Sequence, residues 1–314
     1  MTPRFSVIIP TFNRSEKLLR AVRSVLAQTC EDFEVLVIDD GSDGTEQALA
    51  DLDPRVKYVR GSAEGVATAR NAGIDKTTGD FVAFLDDDDW WYPRKLECFL
   101  DAFRLHPDAG LIYSGLNCVD RHGATLWPAN IRGVHGDGYA AVLEGNFIAN
   151  SAAVVRRACL TSVGRFDGSL SGCEDWDFWI RLARQYPMYL VPEVLVAYEY
   201  LSEGRVTSRH LVWLQAIDEV LTKALAADPD LPERRRRRIR SGIAWSKGRV
   251  CLRAGNDELA LKHFLEALRL RATNWHALVY VGVLSVPFLR SVLPRRIKLA
   301  LRLPEAHLTS KRSP

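Results

Sequence analysis

The 314-residue sequence predicts an α/β protein with a mainly parallel central sheet, followed by a C-terminal α-helical region. Three observations predict it. Short apolar strands alternate with helix-period segments through the first 85 residues, acidic residues collect directly after two of those strands, and both charge and periodicity change near Asp228-Pro229-Asp230. Strand–helix alternation implies right-handed crossovers and parallel neighbours. In such sheets ligands bind beyond the carboxyl ends of the strands.

Residues 5–10 form a short buried strand. Residues 15–28 carry Leu18, Leu19, Val22, Val25 and Leu26 at the spacing of one helix face. A second strand over 33–38 ends in Asp39-Asp40-Gly41-Ser42. A helix is expected over 45–52, a strand at 56–59, a helix over 65–76 and a strand over 81–85. Directly after that last strand comes Asp86-Asp87-Asp88-Asp89, followed by Trp90-Trp91. Four carboxylates at a strand end repel one another unless a cation sits among them. Hard divalent ions such as Mg²⁺ or Mn²⁺ take oxygen ligands and share them with phosphates, so the run reads as a metal–phosphate site rather than a solvated acidic turn. Asp39-Asp40 falls at the equivalent place on its strand, and the two acidic groups are expected to share one cleft.

The formal net charge of +3 conceals a split. Residues 1–230 hold 23 Lys+Arg against 34 Asp+Glu, net −11, whereas residues 231–314 hold 19 against 5, net +14. The expected division is a catalytic domain over 1–210 and a helical, basic region over 211–314. Six cysteines form no CxxC pair and no zinc spacing, which suits reduced thiols. The first residues lack the apolar stretch of a signal peptide, and a cytoplasmic protein is expected. No GxGxxG follows the first strand and no GxxxxGK[ST] occurs, which argues against a dinucleotide-binding Rossmann site or a P-loop.

Five segments in order carry a resemblance: Val7-Ile8-Ile9-Pro10-Thr11-Phe12-Asn13-Arg14, Val37-Ile38-Asp39-Asp40-Gly41-Ser42, Ala69-Arg70-Asn71-Ala72-Gly73, Leu85 with the four aspartates, and Glu174-Asp175-Trp176. Together they resemble the family 2 glycosyltransferases, inverting enzymes of the GT-A fold, over about residues 4–210. The resemblance implies that a nucleotide-sugar, UDP- or dTDP-linked, is held by Pro10, Thr11, Asn13, Asp40, Arg70, Asn71, Asp86 and Asp87. Asp40 would read the base, and Arg70 and Asn71 would lie near the base or diphosphate. It implies that Asp86 and Asp88 are the acids of the DXD motif, with Asp88 on a Mg²⁺ or Mn²⁺ ion and Asp86 on the ribose or metal-bound water. Asp87 and Asp89 would stand behind these contacts or face solvent, although four consecutive acids leave the register open by one.

By the same resemblance Asp175 is the general base that deprotonates the acceptor hydroxyl, on a glycan or lipid-linked precursor. From the residues alone, Ser171 and Glu174 fit a capping box, which would occupy Glu174 and leave Asp175 free to enter the cleft. Asp39 is the better candidate for a turn or cap, and Asp177 for a structural role. Trp90, Trp91, Trp176 and Trp179 could stack on a sugar, but core packing is the commoner outcome. In the loop after the final strand only Arg205 and His210 could reach the diphosphate.

Beyond residue 210 the sequence reads as helical, and residues 244–268 resemble a single tetratricopeptide-like helix pair. The Arg234–Arg238 run reads as a solvated helix face. The apolar stretch 277–289 is too short to span a bilayer and precedes Arg290, Arg295, Arg296, Lys298 and Arg302. It suits either an interfacial helix on the inner face of a cell membrane or a buried terminal helix. Nucleic acid is not an expected partner, because no binding motif for it is present. The expected function is thus metal-dependent inverting glycosyl transfer. The alternative is a non-catalytic nucleotide-sugar or glycan binder, which would have no use for a base, and a nucleotidyltransferase would need a glycine-rich basic loop that Pro10-Thr11-Phe12-Asn13 does not supply.

Overall fold

A computed structural model of the chain describes residues 4–128, 132–200 and 210–285. The chain divides into two compact units, Met1–Arg205 and Val206–Pro314.

The first unit opens with β1 (Phe5–Thr11), α1 (Ser15–Leu26), β2 (Phe33–Asp39), α2 (Thr45–Leu49), β3 (Val56–Arg60), α3 (Val66–Lys76) and β4 (Phe81–Phe84). It continues through β5 (Trp90–Trp91), α4 (Lys95–Leu105), β6 (Leu111–Val119), β7 (Thr125–Pro128), β8 (His135–Gly136), α5 (Tyr139–Leu143), β9 (Ala153–Arg156), α6 (Leu160–Val163), α7 (Glu174–Ala183) and β10 (Met188–Glu199). One sheet runs β3-β2-β1-β4-β9-β6-β10-β5, with β7 on β6 and β8 on β10. Its first four strands are parallel, and β9 inserts antiparallel between β4 and β6.

The expected strands and helices of residues 5–85 all form, with ends shifted by a few residues. β1 and β2 are buried at every position, which explains why they read as unbroken apolar runs rather than alternating ones. α1 turns Leu18, Ala21, Val22 and Val25 onto the sheet. Because β1, β2 and β4 lie side by side and point the same way, Thr11, Asp39 and the residues after Phe84 emerge at one edge. The strand order thus gathers the acidic segments before any side chain is considered.

The second unit contains α8 (His210–Ala227), α9 (Glu233–Arg253), α10 (Asp257–Leu270) and α11 (Trp275–Ser285). α9 and α10 form the expected helix pair. A Cβ on Gly248 would stand 2.6 Å from the Phe264 ring, so glycine is what lets that ring lie against α9. Asn256 caps α10 by accepting from the Leu259 amide at 3.1 Å. No described helix is long and apolar enough to cross a membrane. Arg205 and the basic residues from Arg290 onward lie outside the described residues, as does the end of the apolar stretch.

Candidate active site

The loop after β1 and the loop after β2 are knitted together. Asn13 adopts positive φ, and its Oδ1 accepts from the Ser42 amide at 2.6 Å. Gly41 is required here, because a Cβ would lie 2.4 Å from the Asn13 backbone nitrogen. Asp39 Oδ1 accepts from the Gly41 amide at 2.7 Å, the turn role expected of it. Asp40 reaches the other way, accepting from the Ala63 amide at 3.0 Å. Thr11 joins the two acidic groups: its carbonyl accepts from the Asp40 amide at 3.0 Å, and its hydroxyl donates to Asp87 at 2.8 Å. The two acidic groups are therefore joined through Thr11 at the ends of β1, β2 and β4.

Within the aspartate run each carboxylate has distinct partners. Asp86, the most open of them, accepts from Arg70 Nη2 at 2.8 Å. Asp87 is buried beside Thr11 and 3.1 Å from Arg14 Nη1. Burial and the neighbouring Asp88 charge push its carboxyl up to about 6. Asp88 is also buried and lies 3.3 Å from the same Arg14 nitrogen. Asp89 accepts from the Ser151 hydroxyl at 2.7 Å and from the Glu199 amide at 3.0 Å, which fixes β10 to this loop. Neither Asp87 nor Asp89 faces solvent, contrary to one expectation, because Thr11, Arg14, Ser151 and Glu199 draw them inward.

Among the described residues no three His, Cys, Asp or Glu side chains converge as a metal cage. A divalent ion at a diphosphate site takes only one or two carboxylates and fills its shell from phosphate and water. Asp88, whose carboxylate already carries the Arg14 guanidinium as a counter-ion, fits that donor set.

Glu174 begins α7, with Cys173 at the N-cap in a left-handed conformation and no side-chain cap. The expected capping box with Ser171 does not form, because Glu174 occupies the first helical position and pairs with Arg70 Nη1 at 2.5 Å. That charge-assisted contact to a buried guanidinium outweighs a neutral cap. Arg70 thus spans Asp86 and Glu174 rather than lying on a helix surface. Asn150, with its amide turned to suit its neighbours, accepts from both Arg70 terminal nitrogens. Asn71 bonds both the carbonyl and the amide of Phe166 at 2.9 Å, so its amide holds that loop and does not point at the Arg70 cluster.

Asp175 follows in the first turn of α7. Its Oδ2 accepts from Asn146 at 3.0 Å and its Oδ1 from the Trp176 amide at 2.7 Å. Burial, and after it the Glu174 charge, push the Asp175 carboxyl up to about 7, against the opposing pull of Arg70 and Asn146. A carboxyl near neutrality can accept a proton from a hydroxyl and release it again, the requirement for a general base. Asp177 is buried against Arg181 at 2.8 Å, as expected of a structural acid.

Trp91, Trp176 and Trp179 are core residues, whereas Trp90 lies under the Arg20 guanidinium at 4.0 Å. Arg20 and Lys17 both pair with buried Glu199, at 2.5 and 2.8 Å. The sequence does not single out Arg14, Arg20, Asn146, Ser151 and Glu199 as parts of this site. Only Arg14, placed directly after Asn13, carried a signal in its local sequence.

A model described as glycosyl transferase family 2 matches residues 6–145. The amylovoran biosynthesis glycosyltransferase AmsB of Erwinia amylovora is 30% identical over 241 residues, covering 70% of this chain and 79% of that protein. The chain spans 41% and 26% of the length of two uncharacterized glycosyltransferases from Rickettsia felis and Rickettsia bellii. In fold it is similar to S. aureus TarS in complex with UDP-GlcNAc, with a TM-score of 0.57 at 17% identity, covering 94% of this chain and 93% of that one. It is similar also to the mannosyltransferase PcManGT from Pyrobaculum calidifontis in complex with GDP-Man and Mn²⁺, with a TM-score of 0.59 at 19% identity, covering 96% and 84%. With motifs, sheet and relatives in agreement, the chain belongs to glycosyl transferase family 2 and has the GT-A fold.

Proposed function

We propose that the chain is an inverting glycosyltransferase, moving a sugar from a UDP- or dTDP-linked donor to a hydroxyl of a cell-surface glycan or its lipid-linked precursor. It works from the cytoplasmic side, in peripheral contact with the membrane. The observation that carries the reading is Asp175: a carboxyl held near neutrality at a helix start, tied through Glu174 and Arg70 to Asp86 at the end of the parallel strands. A binding protein needs the acids at the strand ends but not that base.

In this reading Asp40 accepts from the ring N–H of a uracil or thymine, and Pro10, Thr11 and Asn13 line the nucleoside. Asp86 receives the ribose, with Arg70 fixing its orientation and Asp87 holding Thr11 and Arg14 in place. Asp88 holds Mg²⁺ or Mn²⁺, which when bound neutralises charge on the departing nucleoside diphosphate. Asp175 takes the acceptor proton as the hydroxyl attacks the anomeric carbon from the face opposite the leaving group. The donor complexes of TarS and PcManGT, the latter with Mn²⁺, support a nucleotide-sugar and a divalent ion.

The test is a panel of nucleotide-sugars with Mn²⁺, read first by thermal stabilisation. A donor at a hundred times its dissociation constant adds about 2.7 kcal/mol. Transfer by the wild type and its loss in Asp175→Asn supports the enzyme. Donor binding without transfer to any acceptor hydroxyl would assign the chain as a binder.

A further inference from the structure

α11 is apolar at nearly every position, yet among the described residues only one side of it is covered. Ala277, Tyr280 and Val283 are buried, and Tyr280 stacks on Phe264 with ring centroids 4.6 Å apart. On the other side Trp275 is 63% exposed, Leu278 58% and Val279 38%, and exposed Gly282 continues the same line. Positions 275, 278, 279 and 282 are spaced so that they share one helix face.

Basic residues lie on the helix ends that meet the start of α11. Asn274, just before α11, donates to Ser241 Oγ at 3.0 Å, and Ser241 donates to the Ala267 carbonyl at 2.8 Å. The start of α11, the end of α10 and the arginine-rich turns of α9 therefore meet at one end of the helical unit. Arg234, Arg235, Arg237, Arg238 and Arg240 are exposed there on α9, as are Arg269 and Arg271. Glu233, exposed, lies 3.3 Å from Arg237 and 3.9 Å from Arg240, one acid among seven exposed arginines.

We propose that the outward face of α11, with the guanidinium groups around its first turn, docks on an anionic lipid bilayer. This names the surface for the membrane contact in the proposed function and rests on that part of it. An apolar stripe that begins at a tryptophan and is flanked by arginine suits the boundary between headgroups and acyl chains. A second copy of the chain fits less well: a stable dimer buries about 800 Å² on each partner, more than four positions on one short helix offer, and the basic ends would repel. A soluble polyanion would match the arginines but leave Leu278 and Val279 in water.

The full chain is sedimented with vesicles of phosphatidylcholine alone and of phosphatidylcholine mixed with phosphatidylglycerol. Wild type should partition onto the mixed vesicles and come off at high salt. Leu278→Asp should weaken partitioning at least about ten-fold, the scale of losing one inserted leucine. The double change Arg269→Gln and Arg271→Gln should weaken it several-fold, on mixed vesicles only. Each variant should keep the wild-type circular dichroism and the same response to nucleoside diphosphate, which keeps this outcome separate from the transferase reading. The proposal is overturned if wild type ignores the mixed vesicles, or if Leu278→Asp binds them as wild type does. It is overturned equally if Leu278→Asp instead abolishes a dimer, or if the chain is held only by soluble polyphosphate regardless of that substitution.

Discussion

Asn146 donates to Asp175 across 3.0 Å, and its own Oδ1 accepts from the Ile148 amide at 3.2 Å, so the orientation of the Asn146 amide is fixed before it meets the carboxylate. The contact favours the charged form of Asp175. Asn146→Ala should move the acid limb of the kcat/KM profile to higher pH while donor affinity stays at the wild-type value. An unmoved limb would reduce Asn146 to a loop residue.

Asp175 itself gives the strongest test. Asp175→Asn keeps the shape and removes basicity, so donor affinity should persist while transfer falls about 10²- to 10⁴-fold. Glu174→Gln removes the neighbouring charge that helps raise the Asp175 carboxyl and leaves buried Arg70 with Asp86 as its remaining ionic partner. Breaking a buried pair costs roughly 3–5 kcal/mol, and less is expected here because Glu174 is only partly buried. Chemical denaturation of the two variants should show a large loss in Glu174→Gln and a small one in Asp175→Asn. Near-normal transfer by Asp175→Asn would sink the assignment of the base.

The pH dependence follows from the same group. Its ordinary value is 3.8, and the fold raises it to about 7. Between those limits the folded chain holds a proton that the unfolded chain has released, so this group's contribution to stability falls as pH rises from about 4 to about 7. The Asp175 carboxylate, the base in the proposed function, becomes available over the upper part of that window. Transfer should climb through neutrality to a plateau above it, and a rate that is flat from pH 5 to 8 would contradict the assignment.

The proposed divalent ion can be followed without turnover. Asp88→Ala should remove the Mn²⁺-dependent part of nucleoside diphosphate binding, read by calorimetry. Arg14→Met should raise the affinity for Mn²⁺ alone, because the guanidinium and the ion both satisfy Asp88. Equal Mn²⁺ affinity in wild type and Arg14→Met would show that the two do not compete.

In the helical unit, Gly248→Ala places a methyl group 2.6 Å from the Phe264 ring. Overpacking costs roughly 1–3 kcal/mol, and the better helix propensity of alanine returns up to about 1. A thermal melt should show net destabilisation, and a gain in stability would mean that the ring has room to turn.

Much of the first unit could be read from the sequence, because β1, β2 and β4 are buried on both faces and their acidic ends are local features of the chain. Asp39 could even be told from Asp40, since an Asx turn is written in its next two residues. What escaped was set by distance along the chain. Asn146 meets Asp175 across 29 residues and Arg70 meets Glu174 across 104, and neither local pattern names its partner. The capping box failed for the same reason: Ser171 and Glu174 have the right spacing, but a buried guanidinium from α3 was the stronger partner. In the second unit the helix pair was visible through its small residues, whereas the covered and open sides of α11 could not be told apart in a segment apolar at nearly every position.

The arrangement around Asp89 also predicts an order of assembly. Its contacts with Ser151 and Glu199 reach 62 and 110 residues away, while Arg14 meets Asp87 and Asp88 across more than 70. Until those distant groups arrive, the four aspartates repel one another and hold their segment open, and contacts between remote segments are slow to form. The cleft should therefore be among the last parts of the unit to mature after the chain is made. A refolding chain should regain most of its helical signal before it regains the ability to bind Mn²⁺ with nucleoside diphosphate.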